Sequence, residues 1–325
     1  MNKSRIFILG IGSVGKNLLN LIQADLFYNN FSKYFTIVGA ADSKHIIETN
    51  KDVMASDILR SKSDDNLSKI GNELDRILGP DSVDILVDMS SASKDGKREA
   101  QIYKEYLKEG KSVVTANKSP LANFWPEIME WRREGGGEIR FEATVCGGLP
   151  LFNIIESSFS ELKMIYFNGL VNLTSNYVLE SMRSGGSIYN AIEDAIRDGF
   201  AETDYSDDLS GLDSARKTVI VSNALFHTKL RLKDLKYEGI KPDIEFQSGM
   251  RTMLLSSIKE ENDEVISESR LKQIEPQSKF FGLGSKAMAY ELKASGRASI
   301  FVSEDFDGPI ETSMGVFGDI LSLKP

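Results

Sequence analysis

Apolar and polar positions along this chain follow two periods, and the places where one gives way to the other mark its elements. Arg5 to Leu9 is a short, mostly apolar run that reads as a buried strand. It ends on Gly10-Ile11-Gly12-Ser13-Val14-Gly15, after which Val14, Leu18, Leu19, Leu21 and Ile22 recur at helical spacing. Further strands are predicted at Phe35 to Ala40, Val83 to Asp88, Ser112 to Thr115 and Glu138 to Ala143, with helices within Val53 to Leu78 and at Arg98 to Lys108. Strands alternating with helices in this way predict an α/β fold, a doubly wound parallel (Rossmann-type) sheet. Thr144 to Pro150, with two glycines and a proline, reads as a hinge. From Lys163 onward, apolar strands, including Ser299 to Val302, mix with helices, as in a second domain of α+β type. The expected division is 1–145 plus 307–325 for the first domain and 146–306 for the second.

The glycine run stands between the strand and the helix that its chemistry requires. Glycines there permit a tight turn and close approach of backbone N–H groups to a pyrophosphate at a helix N-terminus, so Gly10, Ile11, Gly12, Ser13, Val14 and Gly15 are candidate dinucleotide ligands. The second predicted strand ends at Asp42, placed to hold the adenosine ribose hydroxyls. An acid at that position favours NAD by repelling a 2′-phosphate, while Ser43 and Lys44 soften the preference and keep NADP open. Ligands of such sheets bind at the carboxyl ends of the strands. Ser90 and Ser91, after one strand, and Lys118, after the next, therefore fall on the same rim as the glycines.

Composition narrows the classes. The chain has 325 residues, 41% of them hydrophobic and 27% charged, as in an ordinary globular protein of one large or two moderate domains. A net charge of −9 with no long basic cluster argues against nucleic acid or an anionic membrane as partner. The single cysteine, Cys146, allows neither an intrachain disulfide nor a multi-cysteine zinc site. The two histidines, His45 and His227, make a Ser-His-acid mechanism a poor fit, and His227 reads as a packing residue within a helical apolar pattern. No stretch approaches the roughly 20 apolar residues of a membrane span, and the N-terminus enters a strand with no leader pattern, so a cytoplasmic protein is expected.

The acid-rich run from Glu202 to Lys217 is the other chemical feature. Asp213 and Lys217, four apart, share a helix face, and an isolated pair of this kind is usually a surface pair contributing a few tenths of a kcal/mol. Ser210 and Asp213 read as N-cap and capping-box partner of a helix starting near Gly211, fed by a loop carrying Glu202, Asp204, Asp207 and Asp208. Several acids and one lysine then converge.

The motifs in their order resemble homoserine dehydrogenase over nearly the whole chain. The likeness rests on the Gly10 turn, Val114-Thr115-Ala116-Asn117-Lys118, Glu142 through Pro150, Gly169 to Leu179, Glu202 to Lys217, and Gly308 to Asp319. It implies an NAD(P)-dependent interconversion of L-homoserine and L-aspartate 4-semialdehyde. Lys217 would be the acid/base group, and Lys118 would lie between cofactor and substrate. Glu202, Asp207, Asp208, Asp213 and Thr174 would bind the amino acid, and Gly308 would join the cofactor ligands. It further implies a homodimer formed through the second domain, and a monovalent cation held by Glu142 and by the carbonyls of Val145, Gly147 and Leu149. The extra C-terminal regulatory domain of some relatives is not expected. Two departures from the family pattern, Leu173 in place of glycine and Phe200 in place of tyrosine, suggest crowding at the substrate. They keep open a related dehydrogenase of another small amino acid or semialdehyde. A regulatory paralogue without turnover is the other alternative, and Lys118, Asp213 and Lys217 argue against it.

Overall fold

A computed structural model describes residues 3–43, 45–48, 52–63, 68–69, 79–201 and 204–324. The chain forms two compact units, Met1–Gly148 with Pro309–Pro325, and Leu149–Gly308.

The first unit begins β1 (Ser4–Leu9), α1 (Ser13–Gln23), α2 (Asp25–Tyr34), β2 (Phe35–Ala41), β3 (His45–Glu48), α3 (Ala55–Ser63) and β4 (Ser68–Lys69). It continues with β5 (Ile85–Asp88), α4 (Lys97–Lys108), β6 (Ser112–Thr115), α5 (Lys118–Gly135) and β7 (Ile139–Arg140). Among the described residues the sheet order is β4-β3-β2-β1-β5-β6-β7, with β2, β1, β5, β6 and β7 parallel. Parallel strands are covered on both faces, which is why their sequences are apolar throughout rather than alternating. Ile6, Ile8, Ile85, Val87 and Val114 join a core with Leu18 and Leu19 of α1, while the intervening Phe7, Leu86 and Val113 are buried on the other face.

Register sets the site. Leu9 pairs with Asp88, and Asp88 with Thr115, so these strands end in line. The neighbours of β1 are β2, the next parallel strand in the chain, and β5. The crevice at their carboxyl ends is a topological switch point.

Several boundaries differ from the sequence reading. The stretch before β2 forms a helix, α2, that the pattern read above did not predict. Of the helical segment predicted within Val53 to Leu78, Ala55–Ser63 is helix, Ser68–Lys69 is strand, and 64–67 and 70–78 lie outside the described residues. The strand predicted at Glu138 to Ala143 shrinks to Ile139–Arg140, because Glu142–Thr144 turns as a 3₁₀ helix whose first N–H is held by the Asp319 carboxylate at 2.8 Å.

The second unit contains α6 (Phe152–Ser158), β8 (Met164–Leu170), α7 (Leu173–Arg183), α8 (Ile188–Arg197), α9 (Ser206–Leu209) and α10 (Leu212–Phe226). The strands β9 (Lys236–Tyr237), β10 (Arg251–Glu261), β11 (Glu264–Ile274), β12 (Met288–Ala294) and β13 (Ile300–Glu304) follow. They form, with β8, a mixed sheet of order β13-β12-β8-β10-β11-β9. One face is covered by helices: Thr218 of α10 donates to Ser256 at 2.7 Å, Ser222 meets Ser267 at 2.9 Å, and Leu254 packs with Val178, Leu179 and Ile192. The opposite face presents Tyr166, Asn168, Ser257 and Lys259, with Ile266 exposed.

α11 (Pro309–Ser322) belongs to the first unit, where Val316, Phe317 and Ile320 join the core around α1 and Phe317 meets Phe27 edge-on at 5.4 Å. Among the described residues no helix is long and apolar enough to cross a membrane.

Candidate active site

In the first unit the glycine turn has three different steric reasons for its three glycines. Gly10 has φ +100°, and a Cβ there would stand 2.4 Å from the Met89 carbonyl. A Cβ on Gly15 would stand 2.2 Å from the Gly10 oxygen, so α1 packs directly on the turn. Gly12, the N-cap of α1, meets nothing within 4 Å. That open ground before an uncapped helix N-terminus fits a pyrophosphate, which the backbone N–H groups of the first turn, Ser13 and Val14 included, would hold. Ile11 is buried in the core, so only its backbone is available there.

Asp42 follows β2 on the same rim, and its carboxylate is ion-paired with Lys62 of α3. An acid so paired repels a 2′-phosphate less than a lone one, which weakens the expected preference for NAD. Lys44, the other residue expected to act on that choice, lies outside the described residues.

Beyond β5, Ser90 bonds back to Asp88 through its N–H at 2.9 Å and its hydroxyl at 2.6 Å, while Ser91 is exposed. Asn117 caps α5 by accepting from Ser119 N–H at 3.1 Å, and Lys118 is the first residue of that helix. Asp88 is fully buried, which pushes its carboxyl up to about 6 against the hydrogen bonds from Ser90 and Tyr103. Burial and the neighbouring Asp88 likewise push the Tyr103 hydroxyl well above its ordinary value.

The second unit gathers the acids and the other lysine. Lys217 Nζ lies 3.1 Å from Asp213 Oδ2 and also donates to the Val171 carbonyl. Asp213 and Lys217 are only 8% and 9% exposed, so this is no surface pair. Asn172 holds the cluster together. Its Nδ2 donates to Asp208 at 2.6 Å and Asp213 at 2.8 Å, while its Oδ1 accepts from Ser175 N–H at 2.7 Å and caps α7. Asn172 thus brings two carboxylates together, and one of them, Asp213, carries the Lys217 ammonium.

Other expected residues are arranged differently. Asp207 turns its carboxylate to Arg216, which is buried at 2% exposure, rather than to Asn172. Asp207 and Asp208 sit on α9, a single helical turn, instead of a loop. Ser210 is not the N-cap of α10: Gly211 is, at φ +79°, where a Cβ would stand 2.0 Å from the Glu238 carbonyl. Asp213 is therefore released from capping and bonds to Asn172 and Lys217. Glu202 lies outside the described residues. Thr174 is buried in the first turn of α7. Leu173 begins that helix without positive φ, so the glycine usual there is not required by this backbone. Phe200 packs edge-on to Tyr177 at 5.1 Å, with Lys286 Nζ 4.5 Å from its ring centre. His227 ends α10 at φ 55° and is exposed, so it is not a packing residue; Asn223 satisfies the turn beyond it, accepting from Leu230 N–H at 2.8 Å.

Sequence reasoning missed Asn172. It stands between a strand and a helix, three residues before the N–H that its side chain accepts, and that N-cap signature was available. The expected cation ligands are in mixed surroundings. Glu142 is buried, with Val145 and Cys146 just beyond it also buried, but the Gly147 carbonyl faces α11, 2.6 Å from where a side chain on Gly315 would begin. Leu149 opens the second unit, as does Gly308 close it, so Gly308 falls outside the cofactor-side unit. No cluster of three or more His, Cys, Asp or Glu side chains suited to a metal occurs among the described residues.

Comparison with known proteins adds a family. Residues 10–142 match the family model described as homoserine dehydrogenase, NAD binding domain, and residues 150–321 match homoserine dehydrogenase. A homoserine dehydrogenase of Sulfurisphaera tokodaii is 31% identical over 74% of this chain and 77% of its own. The crystal structure of homoserine dehydrogenase from Thermoplasma acidophilum superposes with a TM-score of 0.87 at 34% identity, covering 99% of both chains. A hyperthermophilic archaeal homoserine dehydrogenase solved in complex with NADPH shares the fold, with a TM-score of 0.81 at 23% identity over 99% of this chain and 97% of that one.

Proposed function

The chain belongs to the homoserine dehydrogenase family, and from that premise we propose that it interconverts L-homoserine and L-aspartate 4-semialdehyde with NAD or NADP. It is an oxidoreductase acting on a CH–OH group, in the biosynthesis of threonine, methionine and isoleucine. The observation that carries the substrate assignment is the cluster of buried Asn172, Asp213 and Lys217 with half-buried Asp208. The two acids bind the substrate ammonium, with Glu202 as a further ligand by resemblance. Lys217 exchanges a proton with the substrate oxygen as the hydride leaves or arrives, and a buried lysine beside an oriented carboxylate is suited to that work. The dinucleotide supplies or accepts the hydride. The chain's own residues hold it: the N–H groups after Gly12 take the pyrophosphate, Asp42 the adenosine ribose, and Ser90, Ser91 and Lys118 the rim. Either form of the coenzyme fits this account, since Lys62 offsets the charge of Asp42.

A steady-state assay of homoserine against a panel of amino alcohols, with NAD and with NADP, tests the reading. Homoserine should have the highest kcat/KM; a better alternative substrate would make this a related dehydrogenase, and no turnover with measurable dinucleotide binding would make it a regulatory paralogue.

The proposed assembly is a homodimer through the sheet face of the second unit, supported by the mixture of Tyr166, Asn168, Ser257 and exposed Ile266 on it. Light scattering should give twice the chain mass at micromolar concentration; a monomer would defeat it. The cytoplasm is the proposed compartment. A monovalent cation at Glu142, Val145, Gly147 and Leu149 is supported by the burial of Glu142, and should make activity depend on Na⁺ or K⁺ when tetramethylammonium is the alternative salt.

A further inference from the structure

We propose that Asp88 is a positioning residue for the dinucleotide, acting with Tyr103 to hold the Ser90 turn and the start of α5 in place. This rests on the dehydrogenase reading above for the identity of the cofactor, but on the geometry of the first unit for the role.

The hydrogen bonds close a ring. Asp88 Oδ1 accepts from Ser90 N–H and Oγ–H, and Oδ2 accepts from the Tyr103 hydroxyl at 2.5 Å. The Tyr103 oxygen meets Thr115 Oγ1 at 2.8 Å, Thr115 Oγ1 accepts from Asn117 N–H at 2.9 Å, and Asn117 Nδ2 returns to Ser90 Oγ at 3.1 Å. Each hydroxyl in the ring can donate once and accept once, so the three donors that converge on Asp88 are all satisfied. The ring ties together the ends of β5 and β6 and one residue of α4.

Its outer members are the rim itself. Asn117 caps the helix that begins at Lys118, and Ser119 Oγ donates at 2.6 Å to the Ser93 carbonyl, so 91 and 92 are spanned by a segment pinned on both sides. Ser90 N also lies 2.5 Å from where a Cβ on Gly10 would stand, so the ring braces the glycine turn through backbone packing. A shift of Ser90 alters both the turn and the rim.

Asp88 needs no titration to do this. The titratable groups that reach it are Tyr103 and Glu99, both on α4. Protonation of Asp88 reverses two bonds and breaks neither: its O–H donates to the Tyr103 oxygen, and the Tyr103 hydroxyl turns to donate to Thr115. An asparagine amide can make the same reversed bond, whereas alanine makes none. The asparagine variant therefore closes the ring without a charge, and the alanine variant opens it.

The test is equilibrium binding of NADH and NADPH by fluorescence to wild type, Asp88→Asn, Asp88→Ala and Tyr103→Phe, with kcat and both KM values measured beside it. Asp88→Ala should raise the dinucleotide Kd about tenfold or more, the scale of one hydrogen bond to a charged group. Asp88→Asn should stay within about threefold of wild type, and the homoserine KM at saturating dinucleotide should change by less than about twofold in both, since a positioning loss confined to the rim is uniform for the dinucleotide alone. Wild-type dinucleotide affinity in folded Asp88→Ala would overturn the proposal, as would an asparagine variant as weak as alanine. If Asp88→Ala does not fold, Tyr103→Phe decides: it opens the ring by one hydroxyl, and an unchanged Kd there overturns the proposal. Binding is read without turnover, so inertness toward homoserine would overturn the reaction assigned above and leave the Kd series to judge Asp88.

Discussion

Replacing Asn172 with alanine should strike the cluster proposed to hold the substrate at the point where most of its bonds converge. The amide caps α7 and donates to two carboxylates, at 2.6 Å and 2.8 Å. Loss of a side-chain cap costs about 1 kcal/mol. A hydrogen bond to a buried charged acceptor contributes about 1.5–3 kcal/mol, which applies to Asp213, while water can replace the donor to half-buried Asp208, leaving about 1 kcal/mol there. The sum is about 4 kcal/mol, a large fraction of the roughly 5–15 kcal/mol that stabilises a domain. Urea unfolding should be followed by far-ultraviolet circular dichroism, because Trp125 and Trp131 both lie in the first unit and do not report on the second. At about 2 kcal/mol per molar urea, the transition of the second unit should fall by about 2 M. Homoserine KM should rise several-fold as the acids lose their orientation. Asn172→Asp keeps a capping oxygen but adds a third carboxylate, so at neutral pH it should be no more stable than alanine and should recover as the pH falls. A midpoint for Asn172→Ala within about 0.3 M of wild type, with unchanged KM, would refute the bridging role.

Lys217→Ala should lower kcat by about 10²-fold or more with dinucleotide binding intact, and near-normal kcat with a full deuterium isotope effect would pass the proton role to Lys118 or water. Glu202→Ala should act partly through KM, because the substrate contact proposed for it would be made in the ground state as well. Gly12→Ala should leave the unfolding midpoint unchanged yet abolish dinucleotide binding, whereas Gly10→Ala should destabilise the first unit, since only the latter meets backbone; equal effects in both assays would contradict the assignment of open space at Gly12. Asp42→Ser should raise the ratio of NADP to NAD catalytic efficiency, and an unchanged ratio would remove Asp42 from the ribose site. Asp88, raised from 3.8 to about 6, binds a proton more tightly folded than unfolded, so its contribution is greatest at low pH and is lost as pH rises through about 6. Two pKa units correspond to about 3 kcal/mol, and the stability of wild type relative to Asp88→Asn should fall by roughly 2 kcal/mol between pH 4, already just above the unfolded value, and pH 7 in urea titrations; a constant difference would contradict the raised value.

Local pattern carried the cofactor half well. β1 and β6 lie within one residue of their predicted spans, because a buried strand ending on glycines or on an Asn-Lys helix start announces itself within a few residues. The substrate half was legible in residue type and less so in geometry. The Ser210–Asp213 box failed because Gly211 takes a left-handed backbone against Glu238, and because Asp213 is claimed by Asn172, 41 residues away. The strand ending at Ala143 was cut short by Asp319, 177 residues distant. Nothing within a window of ten residues reveals such partners.

The return of α11 to the first unit also orders events during synthesis. The surface formed by α1, Phe27 and Phe31 waits for Val316, Phe317 and Ile320, which are translated only after the whole of Leu149–Gly308. For about 160 residues at 5–20 residues per second, that apolar patch stays open for roughly 10–30 s on the ribosome. The nascent cofactor unit should therefore bind a chaperone such as a ribosome-associated holdase until its last helix emerges, while the later-made substrate unit closes first.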